Sequence, residues 1–211
     1  MSNLQLRRRA LMAAAKKPRL PREYQEVEYL ESTGTQWIDT LRVPNVSDIF
    51  EQKIQLTSLP DSTVSWYGSM PSAEVIVPRT CIGVNANGFF YAGTNVTVVT
   101  VPAVLSVHTL RYQRNGVRID DVQYWGSAYS SDPIHLTSYL FARHGNDGVQ
   151  SIAPGIRIYY HKEYTRDWTP ALDFVPCYRR LDRKPGMYEL VTDAFFVNQG
   201  TGDFLPGPDV R

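Results

Sequence analysis

From Glu26 onward, apolar and polar residues alternate along much of the chain with a period of two. Val27 and Tyr29 alternate with acids in residues 26–31. Phe50, Ile54 and Leu56 fall on one side of their segment and Glu51, Lys53 and Gln55 on the other. Leu110 and Tyr112 oppose Thr109, Arg111 and Gln113, and Ile156, Ile158 and Tyr160 oppose Arg157, Tyr159 and His161. Successive side chains of a strand point to opposite sheet faces, so this pattern predicts half-buried β-strands. Asn87-Gly88 and Asn115-Gly116 each separate two such runs, and Asn-Gly supplies the positive φ angles of a tight primed turn. Two hairpins are expected there, and residues 144–148 (His-Gly-Asn-Asp-Gly) are expected to form a longer loop. Residues 23–211 show no long amphipathic helix, internal repeat or low-complexity linker. The expected architecture is therefore all-β, a single two-sheet antiparallel sandwich.

The first 22 residues follow another rule. Leu4, Leu11 and Ala15 share a face at helical spacing, Arg7, Arg8 and Arg9 spread around the rest, and Pro18 and Pro21 end the pattern. A lone helix of this length is marginal in water, so residues 1–22 read either as a short helical or extended arm that orders on a partner or as a frayed tail. Seven of the 22 basic residues and none of the 21 acids lie in this arm. It carries +7, while residues 23–211, with 15 bases against 21 acids, carry −6. A basic arm on an acidic body is an assembly-like layout.

Composition narrows the function classes. Residues 10–15 are too short and alanine-rich an apolar run for a secretory signal, and no segment approaches the roughly 20 apolar residues of a membrane span. Folding in a cytoplasm is the expectation, with Cys81 and Cys177 as free buried thiols; one disulfide between them is the open alternative. In a cytoplasm the Asn45-Val46-Ser47 and Asn95-Val96-Thr97 glycosylation patterns are coincidental. The four histidines do not stand at ligand spacing, so neither metal nor cofactor is expected. Asn146 and Asp147 suit a turn better than a calcium loop. Glu26 and Glu28 have the i, i+2 spacing of a glycosidase carboxylate pair, but the segment reads as a domain edge where acids are solvated. There is no Gly-x-Ser-x-Gly and no phosphate-cradling loop, so no enzyme is expected. Nucleic-acid binding rests on the arm alone, which has no aromatic residue, and an acidic protein surface accounts for its charges equally well.

Aromatic residues beside Gly and Ser are the remaining chemical signal. Trp66, Tyr67, Tyr124, Trp125 and Tyr129 are candidates for stacking on sugar rings; the competing reading is that they seal the core or an interface. Leu4, Arg7, Arg8, Arg9 and Leu11 are the candidates for docking the arm.

Two blocks carry a resemblance. Leu20-Pro21 and then Glu26-Val27-Glu28-Tyr29-Leu30-Glu31-Ser32-Thr33-Gly34-Thr35-Gln36-Trp37-Ile38-Asp39-Thr40 resemble the opening of concanavalin A-like (laminin-G-like) jelly-roll domains. Such domains occur in phage structural proteins and bacterial surface proteins. Residues 173–180, 184–191 and 198–204 resemble the far end of the same domains, so the likeness brackets nearly all of 23–211. It implies a jelly roll with a ligand-binding or adhesive role and carries no catalytic set onto this chain. With the basic arm in place of a signal peptide, it points to the phage side. The expectation is a virion accessory or structural protein, assembled in the host cytoplasm and homo-oligomeric. Its arm would dock on other virion proteins and its jelly roll could touch host-surface glycans, with no membrane partner. A stand-alone carbohydrate-binding module is the alternative, and a divergent glycosidase dependent on Glu28 the third reading.

Overall fold

The computed structural model describes residues 19–70, 80–93, 97–102, 105–113, 116–125 and 135–211. The arm residues Leu4, Arg7, Arg8, Arg9 and Leu11 lie outside this set. In chain order the strands are β1 (Tyr24–Glu26), β2 (Leu30–Ser32), β3 (Ile38–Asp39), β4 (Ile49–Leu56), β5 (Val64–Ser69), β6 (Thr80–Val84), β7 (Phe89–Gly93), β8 (Thr97–Pro102), β9 (Val107–Gln113) and β10 (Gly116–Ile119). They continue as β11 (Val122–Trp125), β12 (Tyr139–Leu140), β13 (Arg143–Gly145), β14 (Gly148–Gln150), β15 (Ile156–Tyr164), β16 (Pro170–Arg179), β17 (Pro185–Glu189), β18 (Ala194–Val197) and β19 (Leu205–Pro206).

These strands form two sheets, as the period-two pattern predicts. The large sheet runs β11-β10-β9-β4-β15-β16-β17-β18, with β1 beside β16, β2 beside β15 and β19 beside β2. The small sheet runs β14-β13-β5-β6-β7-β8, with β12 between β5 and β3. Every described pair is antiparallel except β13 on β5, which meets in parallel at His144 and Ser69. The inner faces share one core that includes Phe50, Ile54 and Leu56 of β4, Trp66 of β5, Leu110 of β9 and Ile156 and Ile158 of β15. Among the described residues no helix is long and apolar enough to cross a membrane.

The turns differ from the sequence expectation in detail. The Asn87-Gly88 hairpin exists, but only Gly88 is left-handed (φ 74°). Its N–H donates to the Asn85 carbonyl at 2.9 Å, so the connection is a turn closed by one left-handed glycine rather than a primed pair. The second expected hairpin joins β9 and β10, with Gly116 paired to Gln113 inside the ladder; residues 114–115 lie outside the described set. The connection at residues 144–148 is tighter than expected: Gly145 pairs with Gly148, leaving only Asn146 and Asp147 at the tip.

The two blocks that carry the family resemblance meet in space. The Trp37 N–H donates to Asn198 Oδ1 at 3.0 Å, Gln36 Nε2 to the Thr201 carbonyl at 3.2 Å, and Thr35 Oγ1 to the same carbonyl at 2.8 Å. A Cβ on Gly200 would stand 1.9 Å from the Thr35 carbonyl oxygen, so no other residue fits there without moving backbone. Their shared motif is thus a structural joint. A second small cluster, Leu20 with Val175, Cys177 and Tyr188, begins three residues before the expected domain boundary at 23. Cys81 and Cys177 are both buried and do not form a disulfide with each other.

Candidate functional site

The decisive local feature is a bulge in β15. Ile158 pairs with Ile54 and Tyr160 with Lys53, so Tyr159 is an extra residue against β4. Alternation therefore slips by one position. Tyr160 was expected inward with Ile156 and Ile158, and His161 outward; the bulge turns Tyr160 out and buries His161 and Glu163 completely.

Outside, this produces a platform of pinned rings and paired charges across β2, β15, β4 and β9. Tyr159 donates its hydroxyl to Gln55 Oε1 at 3.0 Å and Tyr160 to Glu51 Oε1 at 3.0 Å. Arg157 lies 4.5 Å over the Tyr29 ring and donates Nε to Glu31 at 2.7 Å and Nη1 to Gln55 at 3.2 Å. Arg111 donates Nε to Glu51 at 2.7 Å and lies 5.6 Å from the centre of the Trp168 ring. Trp168 also contacts Tyr164 at 5.5 Å between ring centres and is 50% exposed. Burial, and then Glu51, pushes the Tyr160 hydroxyl well above its ordinary range, and burial raises the Tyr159 hydroxyl. Both therefore stay protonated donors at neutral pH. The hydrogen bond to Glu31 holds the Arg157 guanidinium firmly protonated. Lys53 lies over the Tyr159 ring, which also meets Tyr29, and Lys162 lies over the Tyr160 ring. The half-exposed Trp168 is therefore the platform ring that suits stacking on another ring or on the apolar face of a sugar. Glu51 and Glu31 are committed to arginines, so neither is free to act as an acid or a base.

Inside, beneath the platform, the same bulge completes a buried polar chain. Trp66 Nε1 donates to Gln52 Oε1 at 3.1 Å, so the Gln52 amide nitrogen faces His161 Nδ1 at 2.8 Å and donates to it. His161 Nδ1 must then accept, and its Nε2–H donates to Glu163 Oε1 at 2.9 Å. Tyr67 donates its hydroxyl to the same oxygen at 2.9 Å. Arg42 Nε stands 3.0 Å from Glu163 Oε2, an ion-pair distance without hydrogen-bond alignment, and Arg42 also pairs with Asp48. The chain runs from the centre of the core to the half-buried Arg42, whose one guanidinium serves both buried carboxylates, Glu163 and Asp48. Burial raises the Asp48 carboxyl, and burial followed by Glu163 raises the Tyr67 hydroxyl well above the tyrosine range.

This arrangement reassigns the aromatic candidates. Trp66 and Tyr67 are fully buried, with their polar tips held by Gln52 and Glu163, and no ring face reaches solvent. An irregularity in pairing between Ser65 and Tyr67 puts both neighbours into the core. Tyr124 is half-buried against the core. Trp125 pairs through its backbone with Gly116, and Tyr129 lies outside the described residues. The glycosidase pair fares no better: Glu26 is tied to Arg19, and Glu28 is exposed. Among the described residues no group of three or more His, Cys, Asp or Glu could hold a metal ion. The platform residues Tyr159, Tyr160 and Trp168 were missed at the sequence level. A Tyr-Tyr pair inside an alternating run was the available signal, since two neighbouring bulky rings cannot both obey the alternation.

A cleft of about 500 Å³ opens where the arm leaves the fold, lined in part by Arg19, Arg22, Arg180 and Arg211 with Leu20 and Val210. Arg180 spends its donors on the Tyr24 carbonyl and Gln25, and Arg19 on Glu26, so the cleft keeps an excess of positive charge. No family model matches the chain, and no curated protein is significantly similar to it.

Proposed function

We propose that the chain is a virion accessory protein whose sandwich, of jelly-roll type, binds a glycan on the outer face of its large sheet. The basic arm then docks it onto another virion protein. The observation that carries the binding half is the platform, where Tyr159 and Tyr160 stand side by side with hydroxyls pinned and Trp168 lies half exposed beside Arg111. Aromatic faces flanked by fixed amide and guanidinium donors match a polyhydroxylated ring, which offers apolar C–H faces and hydroxyl edges. With both carboxylates paired to arginine, the platform suits binding rather than bond cleavage. The docking half is supported by the two resembling blocks, the +7 arm and the arginine-lined cleft at its root. An acidic segment of the neighbouring protein is the complementary partner.

Screening the full chain on an immobilised glycan array, followed by calorimetry on the best hit, tests the platform. Trp168→Ala is expected to weaken that hit at least tenfold while leaving the melting temperature in place. Equal affinity in Trp168→Ala, or no hit at all, would discard the platform reading. The arm is tested by light scattering after size exclusion on the full chain and on one beginning at Arg19. Loss of the oligomer on truncation supports assembly through the arm, whereas an unchanged mass assigns assembly to the sandwich.

A further inference from the structure

Beside the platform, at the start of β9, three side chains form a separate constellation. Ser106 Oγ lies 3.0 Å from His108 Nε2, and His108 Nδ1 lies 2.5 Å from Asp120 Oδ2. An ionised carboxylate can only accept, so Nδ1 carries the proton and the Nε2 lone pair accepts the serine hydroxyl. Ser106 and His108 share a face at i and i+2. Asp120 reaches them from the two-residue turn between β10 and β11, where Ile119 pairs with Val122. That turn is anchored to β9: Asp120 Oδ1 accepts the Thr109 N–H at 2.8 Å, and the Asp120 N–H donates to the Thr109 carbonyl at 3.0 Å. Asp120 and Asp121 are both left-handed, at φ 47° and 72°, a conformation that costs a non-glycine residue energy and that these contacts hold in place. The His108 ring is buried edge-on against Phe90 at 5.3 Å, while Ser106 is exposed. Nucleophile, base and orienting carboxylate thus stand in the order that acyl transfer requires, with the imidazole buried and both the serine and the Asp120 carboxylate open to solvent.

We infer that Ser106 is an activated nucleophile that accepts acyl groups from small carboxylic esters, an activity beyond the binding role above. Ser106 Oγ attacks the ester carbonyl carbon as its proton passes to His108 Nε2, and Asp120 stabilises the imidazolium. The C–O bond to the alcohol breaks and the alcohol leaves with the proton from Nε2. Water then attacks the acyl-serine, giving one proton to Nε2. Collapse releases the carboxylic acid and returns that proton to Ser106. Exposed Leu105 offers apolar contact to a short acyl chain.

The test uses the full chain with a fluorophosphonate probe, peptide mass mapping and p-nitrophenyl acetate hydrolysis. The expected result is a phosphonate adduct on Ser106 and hydrolysis at least tenfold above the Ser106→Ala variant. Ser106→Ala changes an exposed side chain and keeps the fold. Asp120→Asn, which tolerates the left-handed turn, is expected to slow adduct formation at least tenfold at unchanged melting temperature. Label spread over several serines, no label, or an Asp120→Asn rate equal to the parent would overturn the inference and leave the three residues as a hydrogen-bonded staple for the turn.

Discussion

Tyr159 and Tyr160 are neighbours in the chain, yet both donate their hydroxyls to the same face of β4, one to Gln55 and the other to Glu51. Strand geometry forbids this without an extra residue, and the pairing identifies Tyr159 as that residue. Deleting Tyr159 restores strict alternation: Ile158 in, Tyr160 out, His161 in. The variant is therefore expected to fold with the buried chain intact, losing one hydrogen bond and roughly 1 kcal/mol in urea unfolding. Deleting Tyr160 instead leaves Tyr159 to take the outward place and should cost a similar amount. Deleting Lys162, beyond the bulge, turns Glu163 outward and should abolish cooperative unfolding. If the Tyr159 deletion unfolds the protein, the bulge is a requirement of the fold rather than a local insertion.

Much of the sheet was legible in the sequence because alternation is a local property. Ile54, Leu56, Leu110 and Ile158 face inward as the pattern demands. The bulges were not legible, because they arise from how one strand registers against another. They also decide the fate of the aromatic pairs: Trp66-Tyr67 goes into the core and Tyr159-Tyr160 onto the surface. The turn between β10 and β11 was hidden for a related reason: its two left-handed residues, Asp120 and Asp121, are held by anchoring to Thr109 rather than by local preference. The candidate platform was hidden because it joins residues from four strands that no sequence spacing connects.

Gln52 is the hinge of the buried polar chain, since its amide satisfies both Trp66 and His161. Gln52→Leu keeps the volume but leaves an indole N–H and an imidazole nitrogen without partners in a dry interior. Each such loss costs about 1–3 kcal/mol, partly offset by the added apolar burial, so a net destabilisation of about 3 kcal/mol is expected. Urea unfolding at unchanged slope would report it. In the parent, nitrogen-15 shifts should place the His161 proton on Nε2; a proton on Nδ1 would contradict the direction of the whole chain.

Gly200 lies where the two terminal blocks interlock, with the Thr35 carbonyl 1.9 Å from any added Cβ. The obstruction is backbone, so it cannot swing aside as a side chain can. Gly200→Ala should displace the 198–201 loop, break the Asn198–Trp37 and Thr201–Thr35 hydrogen bonds, and cost about 2–3 kcal/mol. Gly148, which has open space around its Cβ position but φ 97°, is the control: there Ala meets backbone strain alone and should cost about 1 kcal/mol. Equal melting temperatures for Gly200→Ala and the parent would mean that the joint is not rigid.

Cys177 ties the second small cluster to alkaline stability. Burial pushes its thiol up to about 12, against 9.0 for the unperturbed group. The folded state keeps this proton where the unfolded chain has released it, so the contribution is complete below pH 9. It is lost as pH rises towards 12. At a pH of about 10.5 the loss from this group is roughly 2 kcal/mol, at 1.36 kcal/mol per unit. Tyr188, pushed up to about 12 by donating its hydroxyl to Asp193, acts in the same direction above its ordinary value of 10.0. Comparing the parent with Cys177→Ala separates the two groups, because the variant removes only the thiol. The parent is expected to lose about 2 kcal/mol more than Cys177→Ala between pH 8 and about pH 10.5, read from urea midpoints. Parallel losses in the two proteins would show that Cys177 ionises within the folded state and that the cluster around it admits water.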